Sequence, residues 1–259
     1  MKTDFFKSTA WYYARFRPPY PGFLFDEIRE RYDLDGTGTL LDIGCGTGQL
    51  ALSLAPHFFE VVGMDPEEEM LEEARSQARL KSIEKVCWVR GDSGDLSGIQ
   101  TPLRLVTMGR CFHWMDRGAL LDALHPKLEQ RGGVVITGER PMWEAREPFE
   151  HVVKALTQEL LGPKRRAGSS FYKSCGVSHQ EVISASRFSR FDAINFPWRR
   201  GWTVDQIIGH CYSTSFVSLH VLGDLRDRFE DELRRRLLLL DPGGVFVENT
   251  ELAVYFLHV

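Results

Sequence analysis

The sequence has no long apolar run, no paired cysteine motif and no excess of positive charge. No stretch of about 18 apolar residues occurs, so we expect no transmembrane helix. The segment Met1 to Phe16 mixes aromatic and charged residues and lacks the apolar core of a signal peptide. None of the five cysteines forms a Cys-x-x-Cys pair, so we expect neither a zinc site nor a disulfide framework, and a cytoplasmic location. The 32 basic and 36 acidic residues give a net charge of -4, which argues against a nucleic-acid-binding protein.

The most informative segment that is present is Thr39–Gly48, with the sequence TLLDIGCGTG. Its apolar residues predict a short buried strand that runs into a glycine-rich turn, and an apolar helical pattern follows. Glycine lets a ligand approach the backbone, and the first N–H groups of a helix point at the same place. A second strand, Glu60–Met64, ends at Asp65, and an acid about 20 positions after such a turn is typical of a residue that binds ribose hydroxyls.

The details of the turn indicate which nucleotide it binds. Gln49 stands where a dinucleotide fingerprint has its last glycine, which argues against a nicotinamide oxidoreductase. Asp42 precedes Gly44, Gly46 and Gly48, and a carboxylate there repels a phosphate but attracts an amino group or a sulfonium. This pattern resembles motif I of the class I S-adenosylmethionine-dependent methyltransferases, and the resemblance extends over nearly the whole chain. It implies S-adenosylmethionine as the cofactor and S-adenosylhomocysteine as the product.

The rest of the chain predicts an α/β fold of Rossmann-like, doubly wound type. By the resemblance, the sheet has seven strands, mostly parallel with an antiparallel final strand, and the fold carries an N-terminal lid and an inserted helical cap. We expect a single domain, 1–259, with the lid at 1–37, a cofactor-binding half at 38–138, the cap at 139–190, and C-terminal strands and helices at 191–259. The remaining predicted strands are Val86–Val89, Leu103–Met108, Val134–Thr137, Phe191–Trp198 and Val245–Val259. The predicted helices are Glu67–Leu80, Gly118–Glu129, Pro148–Leu161, Val204–Cys211 and 224–240.

The resemblance also implies cofactor contacts outside the glycine turn. The segment Tyr12 to Pro21 is similar to the lid of many small-molecule methyltransferases, where Tyr13 and Arg17 would reach the methionine carboxylate. The alternative is that these side chains only pack the lid. Further contacts with the cofactor are expected from Met70, Asp92, Ser93 and Gly109. Of these, Met70 would cover the adenine and Asp92 would accept from its amino group, although a carboxylate at a strand end also serves as a helix N-cap.

The acceptor side of the expected site follows the fourth strand. Ligands lie beyond the carboxyl ends of parallel strands, and this strand leads into Phe112-His113-Trp114, which the same family often carries. His113 is the candidate catalytic base, with a packing role as the alternative. The residues expected to contact the acceptor are Tyr12, Phe112, Trp114, Trp143 and Tyr172. No metal-ligand spacing lies near His113, so we expect no metal, and Lys164-Arg165-Arg166 is either an anion-binding segment or a solvated loop.

These features predict methyl transfer from S-adenosylmethionine to N or O of a small polar metabolite or natural product. The nearest families by pattern are the trans-aconitate, ubiquinone-biosynthesis and natural-product methyltransferases. The alternatives are a tRNA or protein methyltransferase, or a non-catalytic protein that binds S-adenosylmethionine or S-adenosylhomocysteine on the same fold. We expect a small-molecule acceptor as partner, with no nucleic acid and no membrane, and a monomer or homodimer.

Overall fold

The computed structural model describes residues 4–173, 176–188 and 190–259 and contains a seven-stranded sheet. The strands are β1 Thr39–Ile43, β2 Glu60–Asp65, β3 Val86–Arg90, β4 Leu103–Gly109, β5 Leu128–Glu139, β6 Arg166–Ala167, β7 Ser170–Phe171, β8 Phe191–Thr203 and β9 Val245–His258. The order in the sheet is β3-β2-β1-β4-β5-β9-β8, and β6 and β7 form a separate hairpin. The helices are α1 Ala10–Phe16, α2 Gly22–Arg31, α3 Gln49–Leu54, α4 Glu68–Leu80, α5 Arg117–Leu124, α6 Pro148–Leu161, α7 His179–Ser184, α8 Val204–Tyr212, α9 Leu219–Leu222 and α10 Arg226–Leu240.

The direction of the strands confirms the predicted fold class. Strands β1 to β5 pair in parallel, in the order given above. Thr137 of β5 donates from Oγ1 to the carbonyl oxygen of Ala253 at 3.1 Å. Gly133 of β5 packs directly against the carbonyl oxygen of Leu257. Residue numbers therefore fall along β9 (Leu257 to Ala253) as they rise along β5 (Gly133 to Thr137). This means that β9 runs antiparallel to β5, and the sheet is otherwise mostly parallel.

The central strands are apolar because both faces of the sheet are covered. Successive side chains of a strand point to opposite faces, so neighbours in sequence enter different cores. Leu40 and Leu105 belong to one buried cluster, whereas Leu41 and Val106 belong to another. All four side chains are fully buried. This burial on both sides explains why β1 and β4 lack the polar alternation of a half-exposed strand.

Most predicted elements are present, and three were bounded wrongly: the strand predicted at Phe191–Trp198 extends to Thr203, and two others meet at Pro126. The predicted helix Gly118–Glu129 ends at Leu124, and a single 3-10 turn, His125–Lys127, leads directly into β5. Pro126 in this turn has no backbone N–H and cannot continue a helix. As a result β5 begins six residues before the predicted strand Val134–Thr137. The predicted helix Pro148–Leu161 has the observed bounds, and a capping box at Glu147 begins it.

The chain divides into two compact units, each with its own core. The sheet unit comprises 19–138, 176–188, 190–196 and 252–259, and the helical unit comprises 4–18, 139–173 and 197–251. These limits differ from the predicted lid at 1–37 and cap at 139–190. The reason is that α10 and α8 pack with α6 around one apolar core, so a large C-terminal segment joins the helical unit. In the described part of the chain, no helix is long and apolar enough to cross a membrane.

A buried charge network lies within the helical unit. Arg140 donates to both oxygens of Glu150, at 2.9 and 3.0 Å. Arg200 donates to Glu248 at 2.7 Å and to Glu139 at 3.0 Å. Each of these charged side chains is largely buried. A buried charge without its partner is strongly destabilising, so both members of each pair are required. Arg140 and Arg200 are thus each matched by carboxylates within the unit.

Candidate functional site

The glycine turn between β1 and α3 has a backbone that only glycine adopts readily. Gly44, Gly46 and Gly48 have φ values of 64°, 53° and 82°, in the left-handed region. A β-carbon on Gly44 would lie 2.9 Å from the side chain of Cys111, and one on Gly48 would lie 2.7 Å from Trp88. At these two positions glycine therefore makes room for neighbouring protein side chains as well as permitting the turn.

Asp65, the last residue of β2, holds this turn in place. Its Oδ2 accepts a hydrogen bond from the Gly46 N–H at 2.9 Å, and its Oδ1 accepts one from the Glu67 N–H at 2.9 Å. The residue is 7% exposed, and burial raises the pKa of its carboxyl group. Each carboxylate oxygen has a further lone pair, so Asp65 has the capacity to accept from two hydroxyl groups of a ligand.

Asp42 lies on the other side of the turn, and each of its carboxylate oxygens accepts one hydrogen bond within the protein. Its Oδ1 accepts from the Thr107 hydroxyl at 2.7 Å, and its Oδ2 accepts from the Ala51 N–H at 3.2 Å. Burial raises its pKa to about 7. These bonds tie β1 to β4 and to α3, so Asp42 braces the site. Its expected contact with an amino group or sulfonium stays a prediction.

The other residues predicted to contact the cofactor occupy different settings in the sheet unit. Met70 is buried in the first turn of α4. Asp92 is exposed and its Oδ1 accepts from the Gly94 N–H at 2.8 Å. No helix begins in the described segment 91–102, so Asp92 shapes a turn and does not act as a helix N-cap. Ser93 beside it is half-buried. Gly109 packs directly against the Tyr20 hydroxyl, which leaves no room for a β-carbon.

His113 and Phe112 differ sharply in exposure. Both lie in a 3-10 turn, Phe112–Trp114, after β4. His113 is exposed, with its ring centre 4.9 Å from that of the half-buried Trp114. It is therefore not a packed core histidine. Phe112 is 1% exposed, makes an edge contact with His179 and packs in the core of the sheet unit. Its expected contact with an acceptor stays a prediction.

Arg110 is a site residue that sequence reasoning missed. Its φ of 59° is rare for a residue with a side chain, and its N–H donates to the Thr137 carbonyl at 2.7 Å. Its guanidinium donates to Gln49 at 3.1 Å and lies 4.3 Å from the centre of the Tyr20 ring. Arg110 thus links the end of β4 to the start of α3. The only sequence signal was a charged residue directly after a strand that ends in glycine.

The aromatic residues predicted for the lid and the acceptor pocket lie in the helical unit. Tyr12 makes an edge contact with Tyr212, with ring centres 5.1 Å apart. Arg17 donates to the Ser213 carbonyl at 3.2 Å and lies 5.0 Å from the Tyr13 ring centre. These contacts pack α1 against α8. The rings of Trp143 and Tyr172 belong to a second group of contacts that surrounds Phe216 and Arg165. The expected contacts of the lid and pocket residues with cofactor and acceptor stay predictions.

The residues of the turn fit a nucleoside-bearing cofactor. Asp65 offers lone pairs to hydroxyl donors, and it makes no ion pair with a described residue that would compete for them. The Thr47 hydroxyl, in the middle of the turn, is buried and has no hydrogen-bond partner among the described residues. Buried polar groups are usually hydrogen-bonded, so the Thr47 hydroxyl suits a site that receives a polar ligand.

Residues 40–132 match the family model of a methyltransferase domain. This segment contains the glycine turn, Asp65 and His113. This match, with the relatives and solved structures described next, supports a class I S-adenosylmethionine-dependent methyltransferase. Two yeast proteins illustrate the relationship. A protein of Saccharomyces cerevisiae named as a probable S-adenosylmethionine-dependent methyltransferase is 30% identical over 123 residues, 47% of this chain and 42% of that protein. A methyltransferase-like protein of Schizosaccharomyces pombe is 24% identical over 213 residues, 82% of this chain and 78% of that protein.

Solved structures show the same fold along almost the whole chain. The YcgJ protein of Bacillus subtilis superposes with a TM-score of 0.57 at 18% identity, covering 92% of this chain and 99% of its own. A type II methyltransferase from Anaeromyxobacter dehalogenans gives a TM-score of 0.59 at 18% identity, covering 94% and 97%. At this identity the likeness concerns the fold alone.

Proposed function

We propose that this methyltransferase binds S-adenosylmethionine at the glycine turn and methylates N or O of a small polar metabolite or natural product. The observation that carries the proposal is the buried Asp65 carboxylate, fixed by two backbone N–H groups at the end of β2. When bound, S-adenosylmethionine supplies an electrophilic methyl group on a sulfonium. The net charge of -4 supports a small acceptor over a nucleic acid.

In this proposal the protein binds the cofactor, orients the acceptor and removes a proton from it. Asp65 would accept from the ribose hydroxyls, and the Thr47 hydroxyl would make a further bond within the turn. Methyl transfer to a well-positioned acceptor gains most from orientation and from exclusion of water. A hydroxyl or ammonium acceptor must also lose a proton, and in this proposal the exposed His113 imidazole accepts it.

Calorimetric titration tests the cofactor. The protein is titrated with S-adenosylmethionine, S-adenosylhomocysteine, NADH and NADPH. We expect micromolar binding of the first two alone. Binding of a nicotinamide cofactor, or no binding at all, would overturn the proposal.

Replacement of His113 by alanine tests the proton step. Release of S-adenosylhomocysteine is measured over a panel of small hydroxyl and amine acceptors. We expect turnover to fall by about 100-fold or more, since general-base catalysis typically contributes that much, with unchanged affinity for S-adenosylhomocysteine. His151→Ala removes another exposed histidine and serves as the control. Unchanged turnover in His113→Ala refutes the role of His113 as a base. If the protein methylates tRNA but none of the small acceptors, the proposed class of acceptor is wrong.

A further inference from the structure

The ring of His179, the first residue of α7, lies against a buried arginine of the same sheet unit. Nη1 of Arg117, the first residue of α5, lies 3.0 Å from Nδ1 of His179 and 3.0 Å from the carbonyl oxygen of Val177. Arg117 is buried, and a guanidinium stays charged and can only donate hydrogen bonds. Nδ1 of His179 must therefore carry a lone pair, so the imidazole is neutral and its proton lies on Nε2.

The surroundings of the His179 ring favour this neutral form. Phe112 and Tyr255 of β9 make edge contacts with the ring, with ring centres 5.1 and 6.2 Å away. Burial raises the pKa of Tyr255, so its phenol carries no charge beside the ring. Glu181, the acid of the same helix, is exposed and accepts a hydrogen bond from the N–H of the helix cap at 2.7 Å. Burial lowers the pKa of His179, and the charge of Arg117 lowers it further.

Protonation of His179 breaks its contact with Arg117. A proton on Nδ1 removes the lone pair that accepts from the guanidinium, and it places two positive charges within hydrogen-bond distance of each other. Because the pKa of His179 is lowered, the folded protein binds this proton less readily than the unfolded chain does. The stability that the contact contributes is therefore complete above about pH 6.5, the ordinary pKa of histidine, and declines as the pH falls below it.

The contact supports a helix that needs tertiary contacts to form. α7 has six residues, of which Ile183 is fully buried, and a helix of this length is not stable by itself in water. The His179 ring also packs against Phe112, one residue before the candidate base. We propose that Arg117 and His179 form a pH-sensitive latch, which holds α7 against the Phe112–Trp114 turn at neutral pH and releases it in mild acid. Release would uncover Phe112, whose side chain is 1% exposed, and would thereby loosen the turn that carries the candidate base.

Hydrogen–deuterium exchange of the full chain at about pH 7.5 and about pH 5.5 tests the latch. Rates are corrected for the intrinsic pH dependence of amide exchange. The amides of 182–186, which bond to carbonyl groups of α7 and its cap, should lose protection by about 10- to 100-fold in acid, as expected for loss of a hydrogen bond to a charged group. The amides of α4, in the same unit, should change by less than about threefold. Equal protection of 182–186 at both pH values would overturn the proposal.

Two matched variants assign the effect to His179. In His179→Gln the side-chain oxygen accepts from Arg117 but does not titrate, so 182–186 should stay protected at both pH values. His125→Gln removes another half-buried histidine, directly after α5, and should keep the wild-type loss of protection in acid. Opening in acid that persists in His179→Gln, or that disappears in His125→Gln, would refute the role of His179.

The protonation state of the wild-type ring is an independent measurement, which serves if His179→Gln does not fold. Long-range ¹H–¹⁵N NMR spectra distinguish the two neutral tautomers of histidine, and nuclear Overhauser contacts with the Phe112 ring identify the His179 signals. We expect the Nε2–H tautomer at about pH 7.5, and a titration midpoint below about 6.5 that coincides with the loss of protection of 182–186. The Nδ1–H tautomer, or a ring that is still charged at neutral pH, would contradict the latch.

Discussion

Replacement of Asp65 by asparagine tests the central feature of the site with the smallest change in shape. The substitution removes the negative charge and turns one acceptor oxygen into an NH₂ group. In the wild-type protein both oxygens already accept backbone bonds, from Gly46 and Glu67, each at 2.9 Å. The remaining lone pairs are those that would receive ribose hydroxyls. The variant therefore changes the protein's own turn and its ligand contacts together, and the two effects have to be measured separately.

The magnitudes follow from these bonds. A hydrogen bond to a charged group contributes about 1.5–3 kcal/mol, and about 1.4 kcal/mol corresponds to a factor of ten in affinity. Loss of one ribose contact should weaken binding by about 10- to 150-fold, and loss of two by at least about 100-fold. For the fold, one backbone N–H would face an NH₂ group, at a cost of about 1–3 kcal/mol, and removal of a buried charge offsets part of it.

Calorimetric titration with S-adenosylhomocysteine, together with chemical denaturation, measures both effects. Asp95→Asn is the matched control, because Asp95 also accepts a backbone bond, from the Ser97 N–H at 2.9 Å, but lies exposed in a loop. We expect wild-type affinity in Asp95→Asn and a large loss in Asp65→Asn. An Asp65→Asn protein that is folded and binds within about threefold of the wild type would refute the ribose role of this carboxylate.

Two further predictions concern the framework around the turn. Gly48→Ala would place a β-carbon 2.7 Å from Trp88 at a φ of 82°, so chemical denaturation should show that the free energy of unfolding falls by about 2–4 kcal/mol. Gly98→Ala is the control, because a β-carbon there meets nothing within 4 Å, and it should change the free energy of unfolding by less than about 0.5 kcal/mol. Equal effects of the two variants would contradict the packing argument. Burial raises the pKa of Asp42 to about 7, above its ordinary value, so its contribution to stability declines as pH rises toward 7. Thr107→Val removes the hydroxyl donor to Asp42 and should lower the free energy of unfolding by about 1.5–3 kcal/mol at pH 8 but by about 0.5–1.5 kcal/mol at pH 6. A loss that does not grow with pH would contradict a hydrogen bond to the ionised Asp42 carboxylate.

Elements with strong local signals could be predicted from the sequence. The short, mostly apolar run of β1 and the glycines after it have few alternative structures. Pro148–Leu161 carries both a helical period and a capping residue. The start of β5 could not be predicted, because its first residues, Leu128 to Arg131, are partly exposed and polar and lack a strand pattern. Its pairing with β4 decides its structure, and pairing is a tertiary property.

The same distinction applies to the candidate site: a residue within a fixed motif could be predicted, whereas residues defined by distant contacts could not. Asp65 follows a motif with fixed spacing, and the structure places it against the turn. Arg110 has no such motif. Its significance comes from a left-handed backbone and from its bonds to Gln49 and Thr137, which lie far away in sequence, so no local pattern contains it.

The two buried carboxylates of the turn show how one motif divides structural and binding roles. Asp42 accepts from a side-chain hydroxyl and a backbone N–H, and it thereby joins three elements of the sheet unit. Asp65 accepts from backbone N–H groups alone, and no hydroxyl of a described residue meets it. A hydroxyl donor is thus already provided for Asp42 and not for Asp65. Since burial raises the pKa of both groups, each gains from every donor it receives, and it is Asp65 that a ligand's hydroxyls would complete.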